Sequence, residues 1–159
     1  MDQVTSNKSE RRLVYARAGD LGRWQCRPLE SVTALDLRDR PVGHLDGLVL
    51  DQFDNRPAYL VIAKQSHGRA EQPARFLVPV GDAWFDETAR AIRIDAAARE
   101  RVPFDRDAFE RMSAAEADAF ERQVLADCCP EIGFHRDGRP DYARWTQFAC
   151  PPWIRAPAG

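Results

Sequence analysis

From Ser31 to about Val102 short β-prone runs alternate with turn residues at close intervals, and nothing between them is patterned as a long helix. The runs are Val32 to Leu37, Gly43 to Leu50, Ala58 to Ala63, Arg75 to Val80 and Ala91 to Ile94. They are separated by Asp39-Arg40-Pro41, by Asp54-Asn55-Arg56-Pro57, by the polar loop Gln65 to Pro73 and by Gly81-Asp82. Short links without an intervening helix favour a small closed or partly open antiparallel β-barrel over a parallel α/β sheet. Val42, Leu45, Leu60, Ile62, Val78 and Ile94 are expected in one barrel core.

After Pro103 the period becomes helical. Asp107 is expected to cap a first turn carrying Phe109 and Met112. Ser113-Ala114-Ala115-Glu116 then matches a capping box, in which Ser and Glu satisfy each other's backbone N–H groups. The helix it opens should run to about Cys128, with Ala117, Phe120, Val124 and Cys128 on its apolar face and Asp118, Glu121 and Arg122 facing elsewhere. Pro130 stops it. From there to Gly159 the chain holds five prolines and the aromatics Phe134, Tyr142, Trp145, Phe148 and Trp153, more aromatic than a disordered linker. This segment is expected to lie extended, against either the barrel or another subunit.

The organisation read from these signals is an N-terminal extension over 1–30, a barrel over 31–103, a helical segment over 104–129 and an extended tail over 130–159. Within the extension, residues 1–12 are polar and expected to fray, Leu13 to Tyr15 form a short extended piece, and Trp24 covers an edge of the core.

The stretch from Asp36 to Asp51, DLRDRPVGHLDGLVLD, runs from an acidic turn through an apolar residue and Gly into an alternating strand that ends in Asp. Together with Tyr59-Leu60-Val61-Ile62 and the valine-proline step of Leu77-Val78-Pro79-Val80, it resembles the PRC-barrel family over roughly Leu29 to Pro103. Two positions depart from that pattern. Arg40 stands where a turn glycine is usual, and Gly47 where an acidic residue is often found. The resemblance implies a stand-alone bacterial member with an SH3-like β-barrel, a fold that serves as a protein-docking platform rather than a catalyst. It occurs in the photosynthetic reaction-centre H subunit and in a ribosome-maturation factor. The membrane anchor of the first and the RNA-maturation domain of the second have no counterpart in this sequence.

Charge narrows the partners. The 23 basic and 25 acidic residues leave a net charge of -2, which lacks the single-signed field of a nucleic-acid or anionic-membrane binder. The bases are almost all arginine, scattered among acids without forming a stripe. No stretch approaches the about 20 apolar residues that cross a bilayer. The polar start also lacks the apolar centre of a signal peptide, so a soluble, cytoplasmic protein without membrane insertion is expected. Cys26, Cys128, Cys129 and Cys150 are then expected as reduced thiols.

Catalytic frameworks are sparse. The sequence contains no Gly-rich phosphate loop, His-Glu-x-x-His motif or Gly-x-Ser-x-Gly elbow. His44, His67 and His135 read as edge or exposed histidines. Cys128, Cys129, His135 and Cys150 supply four possible zinc ligands, but neighbouring helical side chains diverge by about 100° and chelate poorly. Cys128 is expected in the helix's apolar face and Cys129 partly exposed, with a redox pair as the rarer alternative. Asp46, Asp51 and Asp54 lack the ligand density of a calcium loop and read as strand-end and turn residues.

The expected function is therefore a non-enzymatic protein-binding or assembly module without cofactor or metal, forming a dimer or higher oligomer and meeting an unidentified protein partner. Tyr142, Trp145, Phe148 and Trp153 are the candidate contact residues, with intramolecular packing of the tail as the alternative. An RNA- or ribosome-associated module and a small enzyme with its site at a subunit interface are the competing readings.

Overall fold

The computed structural model describes residues 11–18, 32–54, 56–64, 74–94, 102–144 and 148–149. Among these residues eight strands run in the order β1 Leu13–Arg17, β2 Thr33–Leu35, β3 Pro41–Asp51, β4 Arg56–Lys64, β5 Arg75–Pro79, β6 Ala83–Asp86, β7 Ala91–Ile94 and β8 Pro103–Phe104. Among the described residues two helices follow, α1 Arg106–Glu110 and α2 Ala114–Cys128, and 3-10 turns lie at Val80–Asp82 and Tyr142–Arg144. The protein is mainly β with one substantial helix towards its C-terminus. Among the described residues no helix is long and apolar enough to cross a membrane.

The strands form one sheet ordered β6-β7-β2-β3-β4-β5-β8. The eleven-residue β3 gives one edge to β4 and shares the other, Pro41 to His44 facing β2 and Gly47 to Asp51 facing β1. β4 is buried on both faces from Pro57 to Ala63, which explains why its sequence is a continuous apolar run rather than an alternating one. Against the sequence expectation, β2 and β7 pair in parallel, and β6 is an additional strand hydrogen-bonded to β7. Among the described residues the ladder stays open, with β6 and β8 at its two ends. β1 and β8 join a sheet expected to lie between residues 31 and 103, so the chain before residue 30 contributes a full partner to β3.

Two bulges offset each other along β3 and β4. Leu45 faces Ile62 and Gly47 faces Val61, leaving Asp46 as an inserted residue. Further on, Val49 faces Tyr59 and Leu50 faces Pro57, leaving Ala58 as the insertion on the other strand. A Cβ on Gly47 would lie 2.3 Å from the Ala16 carbonyl oxygen and 2.7 Å from the Tyr15 hydroxyl, so this position accepts no side chain. The turn before β3 places its left-handed residue at Asp39, with φ 65°, one residue before Arg40. The Asp36 carboxylate holds this turn by accepting from the Arg38 and Arg40 backbone N–H groups at 2.8 and 2.9 Å.

The sheet has a core on each face. The inner core joins Leu45, Leu48, Leu60, Ile62, Phe76, Val78, Ile92 and Ile94, with Val42 packed at its margin, so all six residues expected to share a core do so. The outer core joins Leu13, Tyr59, Val61 and Leu77 of the sheet to Phe104, Phe109, Ala117, Val124, Leu125, Tyr142 and Phe148. Helix and tail together cover this outer face.

The helix α2 starts as its sequence dictates. The Ser113 hydroxyl accepts from the Glu116 N–H at 3.1 Å, and the Glu116 carboxylate accepts from the Ser113 N–H at 2.9 Å. For α1 the cap is Asp105, which accepts from the Ala108 N–H at 3.1 Å, and the expected Asp107 lies inside the first turn. Over residues 130–144, the described start of the expected extended tail, the chain turns back on itself. Phe134 bridges Pro140 around a turn containing Gly138 at φ 89°, and the chain then returns to the sheet.

Candidate functional site

The most unusual chemistry lies in the outer core, where α2, the tail and the start of β1 meet the ends of β3 and β4. Arg12, Asp51 and Glu121 are 6, 1 and 2% exposed, and Tyr59 and Tyr142 close around them. Residues 11 and 12, expected to fray, are instead buried, because Arg12 has partners on three other segments. Glu121, expected to face away from the apolar stripe of α2, sits within it. The buried side of the helix runs through Ala117, Glu121, Val124 and Leu125, with Phe120 packed at its margin against Phe104 and Phe109.

Arg12 Nη1 donates to Asp51 Oδ2 at 2.8 Å and to the Tyr142 hydroxyl at 3.2 Å, while Nη2 donates to Glu121 Oε1. The other oxygen of Glu121 accepts from both tyrosines, from Tyr59 at 2.8 Å and from Tyr142. Asp51 also accepts from the Phe53 and Asp54 N–H groups at 3.1 and 3.3 Å, which fixes the β3–β4 turn. A second guanidinium, that of Arg56, lies 5.4 Å from the Tyr142 ring and donates to the Phe148 carbonyl. The rings of Tyr59 and Tyr142 pack on Phe148 at 5.4 and 4.7 Å.

Burial works against the charge on Arg12, but Glu121 and Tyr142 outweigh it and hold the guanidinium above its ordinary pKa. Burial first, and then the Glu121 charge, pushes both the Tyr59 and Tyr142 hydroxyls above theirs. Both tyrosines thus stay protonated as donors to the Glu121 side chain. With both oxygens of Glu121 engaged, this is a polar clasp joining segments up to 130 residues apart. Removing one partner of such a buried pair costs about 3–5 kcal/mol, whereas replacing the whole set with apolar groups is often neutral.

A smaller polar group surrounds the bulge residue Asp46. Its Oδ2 accepts from Arg75 Nε at 3.0 Å and from the Tyr15 hydroxyl, and Arg106 lies over the Tyr15 ring at 5.8 Å. Asp54 is paired to Arg139 at 3.2 Å. The three aspartates considered as a cation site therefore serve three different contacts. Among the described residues no three His, Cys, Asp or Glu side chains converge as metal ligands.

The candidate contact residues divide. Tyr142 and Phe148 are 4 and 0% exposed within the single chain, so neither offers surface to a partner. Trp145 and Trp153 lie outside the described residues, as do Trp24, Cys26, His67 and Cys150. His135 is exposed at 3.6 Å from Asp141, and His44 is half-buried in β3. Cys128 packs against the outer core as expected, whereas Cys129, expected to be partly exposed, is the more buried of the two. Cys129 is buried and Cys128 half-buried, because the chain leaves the helix at Cys129 with φ −145° and ψ 61° and turns that side chain inward.

Exposed apolar surface lies elsewhere. Leu37, Phe53, Trp84 and Phe134 are 57, 56, 47 and 43% exposed. Trp84 pairs with Arg93 in the β6–β7 ladder, and Arg93 reaches the Leu37 turn through the Asp36 carbonyl at 3.3 Å and Asp39 at 2.5 Å. No protein-family model matches the chain, and no curated protein matches it in sequence.

Proposed function

We propose that the protein is a non-enzymatic protein-binding and assembly module on a PRC-barrel-like, SH3-like sheet, acting in the cytoplasm. The observation carrying this reading is Trp84, exposed on β6, a strand that among the described residues pairs on one edge only, with Leu37 exposed in the turn after β2. An open strand edge next to a large exposed aromatic suits strand addition by a second chain, since the edge supplies hydrogen bonds and the aromatic supplies an anchor. Two further features support it. The stretches that resemble the PRC-barrel pattern form β3, β4 and β5 in consecutive order, and the titratable cluster is saturated by its own contacts. The contact surface thereby moves from Tyr142 and Phe148 to the β6 edge.

The test combines light scattering over a concentration series with affinity capture, with and without nuclease, for the wild type and the double variant Leu37→Ser, Trp84→Ser. The expected result is a mass above one chain, or a nuclease-resistant protein partner, lost in the variant at an unchanged urea midpoint. A monomer that captures only nuclease-sensitive material overturns the proposal in favour of an RNA-associated module.

A further inference from the structure

The end of α2 carries two adjacent cysteines whose sulfurs lie 3.1 Å apart, close enough for a thiol hydrogen bond. Cys128 is half-buried and Cys129 buried, so Cys128 is the more accessible of the pair. Their position is mechanically sensitive. The Cys129 N–H closes the last helical turn on the Leu125 carbonyl at 2.8 Å, and the Cys129 carbonyl accepts from the Ile132 N–H at 3.0 Å as the tail begins.

We propose that Cys128 and Cys129 are a reversible redox site that closes to a vicinal disulfide under a hydroperoxide and thereby loosens the docking of the tail. The Cys128 thiolate attacks one peroxide oxygen. The O–O bond breaks, an alcohol leaves with a proton, and Cys128 becomes a sulfenic acid. The Cys129 sulfur then attacks that sulfur, the S–S bond forms, the S–O bond breaks and water leaves with the Cys129 proton. Two thiols lose two electrons in all, and one peroxide is reduced to alcohol and water.

The geometry makes the product labile. Consecutive Cα atoms are about 3.8 Å apart, whereas unstrained disulfides span about 4.4–6.8 Å, so the ring is strained and readily reduced. Strained disulfides have the more oxidising potentials typical of regulatory bonds. The negative end of α2 disfavours the thiolate, so excess peroxide is the appropriate probe. Ring closure must also turn the Cys129 peptide, which holds both the helix end and the first tail hydrogen bond.

The test treats the full-length reduced protein with excess hydrogen peroxide and maps the tryptic peptide from Gln123 to Arg136, which contains both residues and excludes Cys26 and Cys150. The expected peptide has lost two hydrogens and regains them with dithiothreitol, and the oxidised protein exchanges its Ile132 amide faster. Cys129→Ser should instead leave a Cys128 sulfenic acid trapped by dimedone. Two thiols that remain alkylatable, or a bond to Cys26, Cys150 or another chain, overturn the proposal. A ring that forms without any change at Ile132 overturns its control of the tail.

Discussion

The two faces of the sheet are held by different physics. The inner core is hydrocarbon drawn mostly from one run of strands between β2 and β7, so its driving force is non-directional and follows apolar area. The outer core is assembled from the chain start, the sheet, α2 and the tail, and at its centre are an arginine, two carboxylates and two tyrosine hydroxyls. Burial alone would tolerate many arrangements of helix and tail on the sheet, but the Arg12 clasp is satisfied by one. The inner core thus supplies stability, and the outer core adds the selection of one docked arrangement.

The sharpest way to break this contrast is to remove the carboxylate. Glu121→Leu should cost about 3–5 kcal/mol in urea unfolding, because Arg12 and two tyrosines lose an acceptor they share. Arg12→Met with Glu121→Leu should cost less than the sum of the single variants, and additive values would show that the cluster is not coupled. Leu60→Ala in the inner core should cost a comparable amount, about 2–5 kcal/mol.

The two cores separate further with pH. Tyr59 and Tyr142 hold their protons in the native state beyond the pH at which an unfolded tyrosine, with pKa about 10, releases them. Their contribution is fully present below about pH 10 and is lost as pH rises above it. Tyr142→Phe should lower stability by about 1–3 kcal/mol at neutral pH and flatten this alkaline decline. Leu60→Ala should leave the decline as steep as in the wild type. Equal slopes in all three proteins would remove the tyrosines from the account.

Smaller effects belong to the periphery. Ser113→Ala should cost about 0.5–2 kcal/mol, measured as a shift in the denaturation midpoint, because the first turn of α2 loses its cap. Asp54→Ala, which breaks an exposed pair with Arg139, should cost at most about 1 kcal/mol. Ending the chain at Cys129 would remove Tyr142 and Phe148 from the outer core, so that truncation tests folding before it tests assembly.

What could be read from the sequence follows the same division. Ala91 to Ile94 forms a strand with the expected bounds, and the Ser113 box opens the expected helix, because both signals are local. The inner core was legible because alternation and turns place it. The clasp was not, since nothing at Arg12 announces partners 39, 109 and 130 residues away. One signal was present. Glu121 falls four residues after Ala117 and four before Leu125, an acid in the middle of a buried stripe. Ala117, Phe120 and Val124 do pack on the outer core, so the stripe is placed correctly but is wider than its apolar residues alone suggest and takes in the acid. The β6 strand was missed because Trp84 and Phe85 lie between turns only a few residues apart.

The opposed insertions at Asp46 and Ala58 have a consequence for the length of the gene. Losing the codon for Asp46 alone would leave Leu45 and Gly47 consecutive opposite Ile62 and Val61, so that bulge would close with every other pairing kept. Losing Ala58 alone would do the same for Tyr59 and Pro57 opposite Val49 and Leu50. The first loss would still remove the Asp46 contacts to Tyr15 and Arg75. Lineages descended from this chain can therefore shorten either strand at its bulge independently of the other.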